Sequence, residues 1–182
     1  MAKLISKTYG DALFETAVEE NKIDALYDEV LSLNEVLSEH PELTRLLNHP
    51  KLTKEEKTEL MENIFEGRAS RELVGFLRIV IANDRYQEID SILEYFIETV
   101  KEYKGIGVAF VTTPVALSDA QKKAVEEKLL STTSYQSMEM NYKIDESLIG
   151  GMVIRIGDRV VDSSIQAKLA ALKKSLLSVQ IS

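Results

Sequence analysis

Through residues 1–104 apolar side chains recur at spacings of three and four, which gathers them on one face of an α-helix. Ile5, Tyr9, Ala12, Leu13 and Thr16 make a first stripe. Ile23, Leu26, Tyr27, Val30, Leu33 and Leu37 make a longer one, ended by Pro41, whose ring cannot sit inside a helix. A short turn through Leu43, Leu46 and Leu47 stops at Pro50. Thr53 and Glu56 have capping-box spacing before a helix carrying Leu60, Met61, Ile64 and Phe65, which Gly67 closes. Ser70 is placed to cap a helix from Arg71 to Asn83, and a sixth carries Ile89, Ile92, Leu93, Phe96, Val100 and Tyr103 on a single face. Six helices in this length predict a compact bundle.

From Gly105 the period falls to two. Val108, Val111, Thr112 and Thr113 predict a strand that Pro114 interrupts. Ser118 and Gln121 can box the start of a helix running to Leu130. Met138, Met140, Tyr142 and Ile144 alternate with polar residues as one strand, and Met152, Ile154 and Ile156 as another. Gly157-Asp158 suits a two-residue type II′ hairpin into Val160 and Val161, because glycine takes the positive φ of the first central position without strain. Asp162 can cap a last helix with Ile165, Leu169, Leu172 and Leu176 in one stripe and Lys173 and Lys174 near its end, where positive charge complements the helix dipole. The stripe has coiled-coil spacing over less than three heptads, which reads first as packing on its own sheet. The expected fold is mainly α: a six-helix amino-terminal bundle over 1–104, then a small α+β carboxy-terminal domain over 105–182.

Charge divides the chain at the same place. Residues 1–104 carry 13 basic and 22 acidic side chains, net −9, and residues 105–182 carry 9 and 8, net +1. The overall charge of −8 opposes binding to phosphate backbones, so nucleic acid is not an expected partner. The chain has no Cys, which removes thiol nucleophiles, CxxC redox pairs and Cys-ligated metals. No stretch approaches the roughly 20 apolar residues of a membrane span, and the amino end has no signal-type apolar core.

Candidate chemistry is thin. His40 and His49 each precede a proline that forces an extended conformation, so both read as polar turn residues, and no third ligand stands at metal spacing. Gly150-Gly151 is followed by a strand rather than by a helix or Gly-Lys-Ser/Thr, so it reads as a bulge or close backbone approach within the sheet and not as a phosphate cradle. The pairs Glu126-Glu127 and Asp145-Glu146 are adjacent and point apart. No catalytic residue, metal or cofactor is assigned.

The segment Leu73–Ala82, LVGFLRIVIA, holds one charge, Arg78, and is too apolar for an ordinary surface helix. Leu73, Phe76, Leu77 and Val80 face one way while Gly75, Ile79 and Ala82 face the other, so it is either a central helix wrapped by its own bundle or one wall of a groove. The first helix shows a similar excess, with Phe14 opposite Ile5 and Tyr9.

These residues resemble a known family, the delta subunit of F-type ATP synthases and its mitochondrial counterpart, the oligomycin-sensitivity-conferring protein. The most specific piece is Leu148 to Ile165, LIGGMVIRIGDRVVDSSI: an apolar pair, a glycine pair, a strand, Gly-Asp, a second strand and a turn before a terminal helix. Tyr9-Gly10-Asp11-Ala12-Leu13-Phe14 with Ala17, Asn83-Asp84-Arg85 and Val111-Thr112-Thr113 resemble further family positions in order. Gly10 stands where the family usually has Ala, a change expected to weaken the first helix by about 1 kcal/mol. Ser163 stands where it usually has Gly, which suggests no left-handed conformation there.

The resemblance implies a non-enzymatic stator subunit of the peripheral stalk, on the cytoplasmic face of a bacterial membrane and associated with it only through the complex. It implies that the helical domain holds the amino-terminal helices of the alpha subunits, between the first and fifth helices, and that the other domain holds the carboxy-terminal ends of the b subunits. By motif position Tyr9, Leu13, Ile79 and Asn83 are the expected partner-binding residues. The rival readings are a helical adaptor of an unrelated assembly and a small hydrolase using His40 or His49 with a carboxylate.

Overall fold

A computed structural model describes residues 2–49, 52–65 and 67–179. The chain forms two compact units, Met1–Lys101 and Glu102–Ser182. Pro50, expected to stop the turn after Leu47, lies outside the described residues, as do the side chains of Lys174 and Leu176.

The first unit is built from α1 (Ala2–Glu19), α2 (Ile23–Glu39), α3 (Pro41–Leu47), α4 (Lys54–Phe65), α5 (Arg71–Ala82) and α6 (Ile89–Tyr103), with a 3-10 turn at Tyr86–Glu88; the border between the units falls in the last turn of α6. Its core joins Leu13 and Ala17 of α1, Leu26, Val30, Leu33 and Leu37 of α2, Leu73, Leu77 and Val80 of α5, and Ile92, Phe96 and Val100 of α6, all buried. Each of the larger of these side chains, Ala17 aside, contributes roughly 1.5–3 kcal/mol against exposure to water. Local signals set the helix ends. Thr53 N–H donates to Glu56 Oε2 at 2.9 Å while Glu56 N–H donates to Thr53 Oγ1 at 3.2 Å, a reciprocal box. Ser70 Oγ accepts from Leu73 N–H and donates to Glu29 Oε2 at 2.7 Å, so one hydroxyl caps α5 and ties it to α2.

The face of α1 turned to the bundle differs from the predicted stripe. Ser6, Gly10, Leu13 and Ala17 are buried, Ala12 is exposed, and Ile5, Tyr9 and Phe14 are half-buried against the core. The reason is at Gly10, where a Cβ would collide with Cδ1 of the Tyr95 ring. Tyr95 lies across the bare backbone and its hydroxyl donates to Asp11 Oδ1 at 3.0 Å. Small residues on this seam make room for the Tyr95 ring of α6.

The second unit holds β1 (Ile106–Thr113), α7 (Asp119–Thr132), β2 (Ser137–Ile144), β3 (Val153–Ile156), β4 (Arg159–Asp162) and α8 (Ile165–Val179). The sheet order is β2-β1-β3-β4. α7 carries the chain from β1 to its parallel neighbour β2, with Val111 opposite Tyr142, and the other pairings are antiparallel, with Val111 opposite Ile154 and Ile154 opposite Val161. Ser118 and Gln121 form the expected capping box on α7. Gly157 takes φ of 53° at the hairpin, as a type II′ turn requires.

At the end of the chain one expectation is corrected, and a second, the close backbone approach at the glycine pair, is met but outside the sheet. Asp162 does not cap α8: its Oδ1 accepts from Ser164 N–H at 2.9 Å, and Ser164 Oγ in turn accepts from Ala167 N–H at 3.2 Å. The carboxylate forms the turn and the buried Ser164 makes the cap, because the helix begins only at Ile165. Gly150 and Gly151 precede β3 rather than lying within the sheet. Gly150 C=O accepts from Ile165 N–H at 3.0 Å, and Gly151 sits at φ 83° against the backbone of Ser163 and Ser164. Ser163 itself avoids positive φ, and its hydroxyl donates to Met152 C=O at 2.9 Å.

Candidate partner-binding surfaces

α5 is not wrapped on all sides. Leu73, Phe76, Leu77, Val80 and Ile81 are buried, whereas Ile79 is 55% exposed and Arg78 and Ala82 are open to solvent. A Cβ on Gly75 would meet nothing within 4 Å. Gly75, Ile79 and Ala82 therefore form a continuous strip, one turn after another, of bare backbone, an exposed isoleucine and a methyl. The end of this strip is fixed. Asp84 adopts φ of 54°, Arg85 N–H donates to Val80 C=O at 2.9 Å, and Lys54 Nζ lies 2.7 Å from both Asp84 Oδ2 and Ala82 C=O. That is a Schellman-type stop with an aspartate in the left-handed position.

The four residues expected to bind a partner divide. Ile79 and Asn83 lie one turn apart at the surface of α5, and Tyr9 is half-buried on α1, which packs against α5. Leu13 is 1% exposed and belongs to the core; its place in the seam with Gly10 and Ala17 turns it inward. Asn83 spends its amide locally, Nδ2 donating to Ile79 C=O at 2.9 Å. His40 is exposed, its Nδ1 2.9 Å from Glu42 Oε1, and among the described residues no three His, Asp or Glu side chains gather as a metal site.

The second unit leaves more apolar surface open than its sequence suggests. The α8 stripe does not pack on the sheet: Ile165, Leu169 and Leu172 are 41%, 57% and 59% exposed. The sheet is covered on one side, where Ala109 and Val111 are buried, Tyr142 Oη donates to Lys122 C=O of α7 at 3.4 Å, and Lys122 Nζ stands 5.5 Å from the Tyr142 ring centre. On the other side Phe110, Thr112, Asn141, Lys143, Val153, Arg155 and Val160 line an open hollow of about 410 Å³. The signal was present in β1, whose residues are apolar on both alternating faces, Val108 and Phe110 as well as Ala109 and Val111; a strand of that kind expects cover on two sides.

Each of the two compact units presents solvent-facing apolar side chains on fixed elements, Ile79 on α5 and Phe110 and Val160 on the sheet. The family model for the ATP synthase delta (OSCP) subunit matches residues 5–176. The chain is 51% identical over 181 residues to the ATP synthase subunit delta of Lachnoclostridium phytofermentans, covering all of both chains. It is 32% identical to that of Enterococcus hirae, over 94% of this chain and 95% of the relative. A chain in the cryo-EM structure of the Toxoplasma gondii mitochondrial ATP synthase hexamer shares the fold at TM-score 0.77 and 18% identity, over 94% of this chain and 97% of that one. The protein belongs to the ATP synthase delta (OSCP) family, whose members are structural stator components of the complex and not catalytic subunits. Among the described residues no helix is long and apolar enough to cross a membrane.

Proposed function

We propose that the helical unit grips the amino-terminal helix of an ATP synthase alpha subunit and the carboxy-terminal unit holds the end of the b-subunit stalk, on the cytoplasmic face of a bacterial membrane. The mechanical need is simple. A turning central shaft exerts torque on the catalytic head, and a head not tied to the membrane sector would turn with the shaft, uncoupling ion flow from ATP synthesis.

The observation that carries the reading is Ile79, 55% exposed on the outer face of α5 and flanked by the open backbone of Gly75. An amphipathic helix laid along this strip beside α1 would cover Ile79 and the outer side of Tyr9, each large side chain contributing roughly 1.5–3 kcal/mol before ordering costs. Leu13 supports the surface from beneath rather than touching the partner. The net charge of −9 over residues 1–104 favours a partner helix bearing Lys or Arg and makes association salt-sensitive.

The test is calorimetry of the full chain with a peptide of the alpha subunit's amino-terminal helix. Ile79→Asp should abolish binding while circular dichroism and the melting temperature hold. Leu13→Ala should instead cost about 2–5 kcal/mol of stability, as for other buried leucines. Unchanged affinity for Ile79→Asp rejects the strip as the contact.

A further inference from the structure

We infer that the uncovered face of the sheet is the seat of an acid-bearing amphipathic helix, with Phe110 and Val160 as its apolar anchors and Arg155 and Lys143 as its charge partners. The inference rests on the proposed role of the second unit as holder of the b-subunit end, and it assigns the surface that does the holding.

Phe110 stands on β1, a central strand, yet is 43% exposed, and Val160 on the edge strand β4 is 59% exposed. Register puts both on one face: Phe110 is opposite Arg155, and Arg155 is opposite Val160. The Arg155 guanidinium lies 4.8 Å from the Phe110 ring centre, within cation–π range. It is thus already held over the hollow before any partner arrives. Lys143 adds a second positive charge beside Thr112. Both charged side chains that line the hollow are basic. Of the acids on the same face, Glu139 is opposite Val108, four residues from Lys143 and so about 13 Å along β2. Asp162, opposite Val153, stays ionised because the hydrogen bonds from Ser164 hold its carboxyl below the usual range, but it is not among the residues that line the hollow.

Charge selects the occupant. A second copy meeting face to face would set Arg155 and Lys143 against themselves. α8 of another copy fits no better, since its fifteen residues include Lys168, Lys173 and Lys174 and no acid. A helix with an apolar stripe and flanking Asp or Glu satisfies both terms: the stripe covers Phe110, Val153 and Val160, and its carboxylates take the planar donor fork of Arg155.

The test titrates the full chain with a synthetic peptide of the b subunit's carboxy-terminal end from the same ATP synthase, by calorimetry at low and high salt. Phe110→Ser and Val160→Asp should each weaken binding about tenfold or more, and Arg155→Glu should weaken it similarly while flattening the salt dependence. Leu169→Asp on α8 should stay within about twofold of wild type. Val160, exposed on an edge strand, keeps the test decisive if Phe110→Ser lowers the melting temperature. Wild-type binding that survives all three face variants overturns the inference and leaves the stalk-holding role standing, with α8 as the seat if Leu169→Asp abolishes it. Equal affinity for a peptide whose acids are replaced by Gln or Asn overturns the charge assignment. A wild-type chain that does not bind the peptide at all sinks the stalk-holding role and the inference with it.

Discussion

Gly10 looks like a weak point in a helix and is instead a packing requirement. Alanine there gains about 1 kcal/mol of helix propensity, but its Cβ runs into the Tyr95 ring, which is anchored at its far end by the 3.0 Å hydrogen bond to Asp11. Overpacking of this kind costs about 1–3 kcal/mol, so Gly10→Ala should lower the melting temperature. In a Tyr95→Ala background the same change should raise it, since only propensity is left; a drop in both backgrounds contradicts the packing account. Tyr86 carries a different cost. Its side chain is 4% exposed and its hydroxyl is buried without a protein partner. Burial, with Asp90 adding to it, pushes the phenol's pKa up. Tyr86→Phe should therefore be stabilising by about 1 kcal/mol, or about 4–8 °C in melting temperature for a unit of this size. Neither effect is legible in the sequence, because both depend on which ring or hydroxyl is brought close by tertiary packing.

Elements declare themselves locally when their ends are chemical and less so when their faces are shared. The boxes Thr53/Glu56 and Ser118/Gln121 form at the predicted positions because both partners lie within one turn. The start of α8 is ambiguous in the sequence because Asp162, Ser163 and Ser164 can all cap, and only the path of the chain past Gly150–Met152 decides which of them does. The exposure of the α8 stripe is not legible in the sequence, because periodicity names the apolar face and not the body that covers it. The same distinction separates Ile79, whose wheel position did show in the sequence, from Leu13, whose motif position said nothing of depth. Helices are also joined by long-range pairs that no local pattern shows. Lys22 Nζ donates to Glu72 Oε1 at 2.6 Å, tying the turn before α2 to the first turn of α5. That hydrogen bond lowers the pKa of Glu72 from its ordinary 4.5 and raises that of Lys22 from 10.5. The carboxylate's contribution to stability is then complete above pH 4.5 and lost as pH falls through its depressed value. The lysine's is complete below pH 10.5 and lost as pH rises through its elevated one. Glu72→Gln should reduce the slope of stability against pH at both limbs; a denaturation series with unchanged slopes at both ends would show the pair to be inert.

At the scale of the whole molecule, charge and surface are partitioned together. Residues 1–104 are strongly acidic and present the Ile79 strip, while residues 105–182 are nearly neutral and present the Phe110 face with its basic lining. The two proposed grips thus prefer partners of opposite charge, a basic helix and an acidic one, which works against exchange of the two ends. They also share no residue and lie in separate compact units. Substitutions in independent sites without common partners add to within about 0.3–0.5 kcal/mol. Ile79→Asp should therefore leave affinity for the b-subunit peptide unchanged, Phe110→Ser should leave affinity for the alpha-subunit peptide unchanged, and the double variant should lose each grip by no more than its single variant does. In the assembled ATP synthase either loss should sever ion-driven ATP synthesis while hydrolysis by the catalytic head continues, because a head without its tether still turns over ATP. Peptide titrations of the two single variants and the double, read beside synthesis and hydrolysis rates, decide it. An interaction energy above about 1 kcal/mol between the two sites would mean that the tether transmits a conformational signal from one end to the other rather than only bearing load.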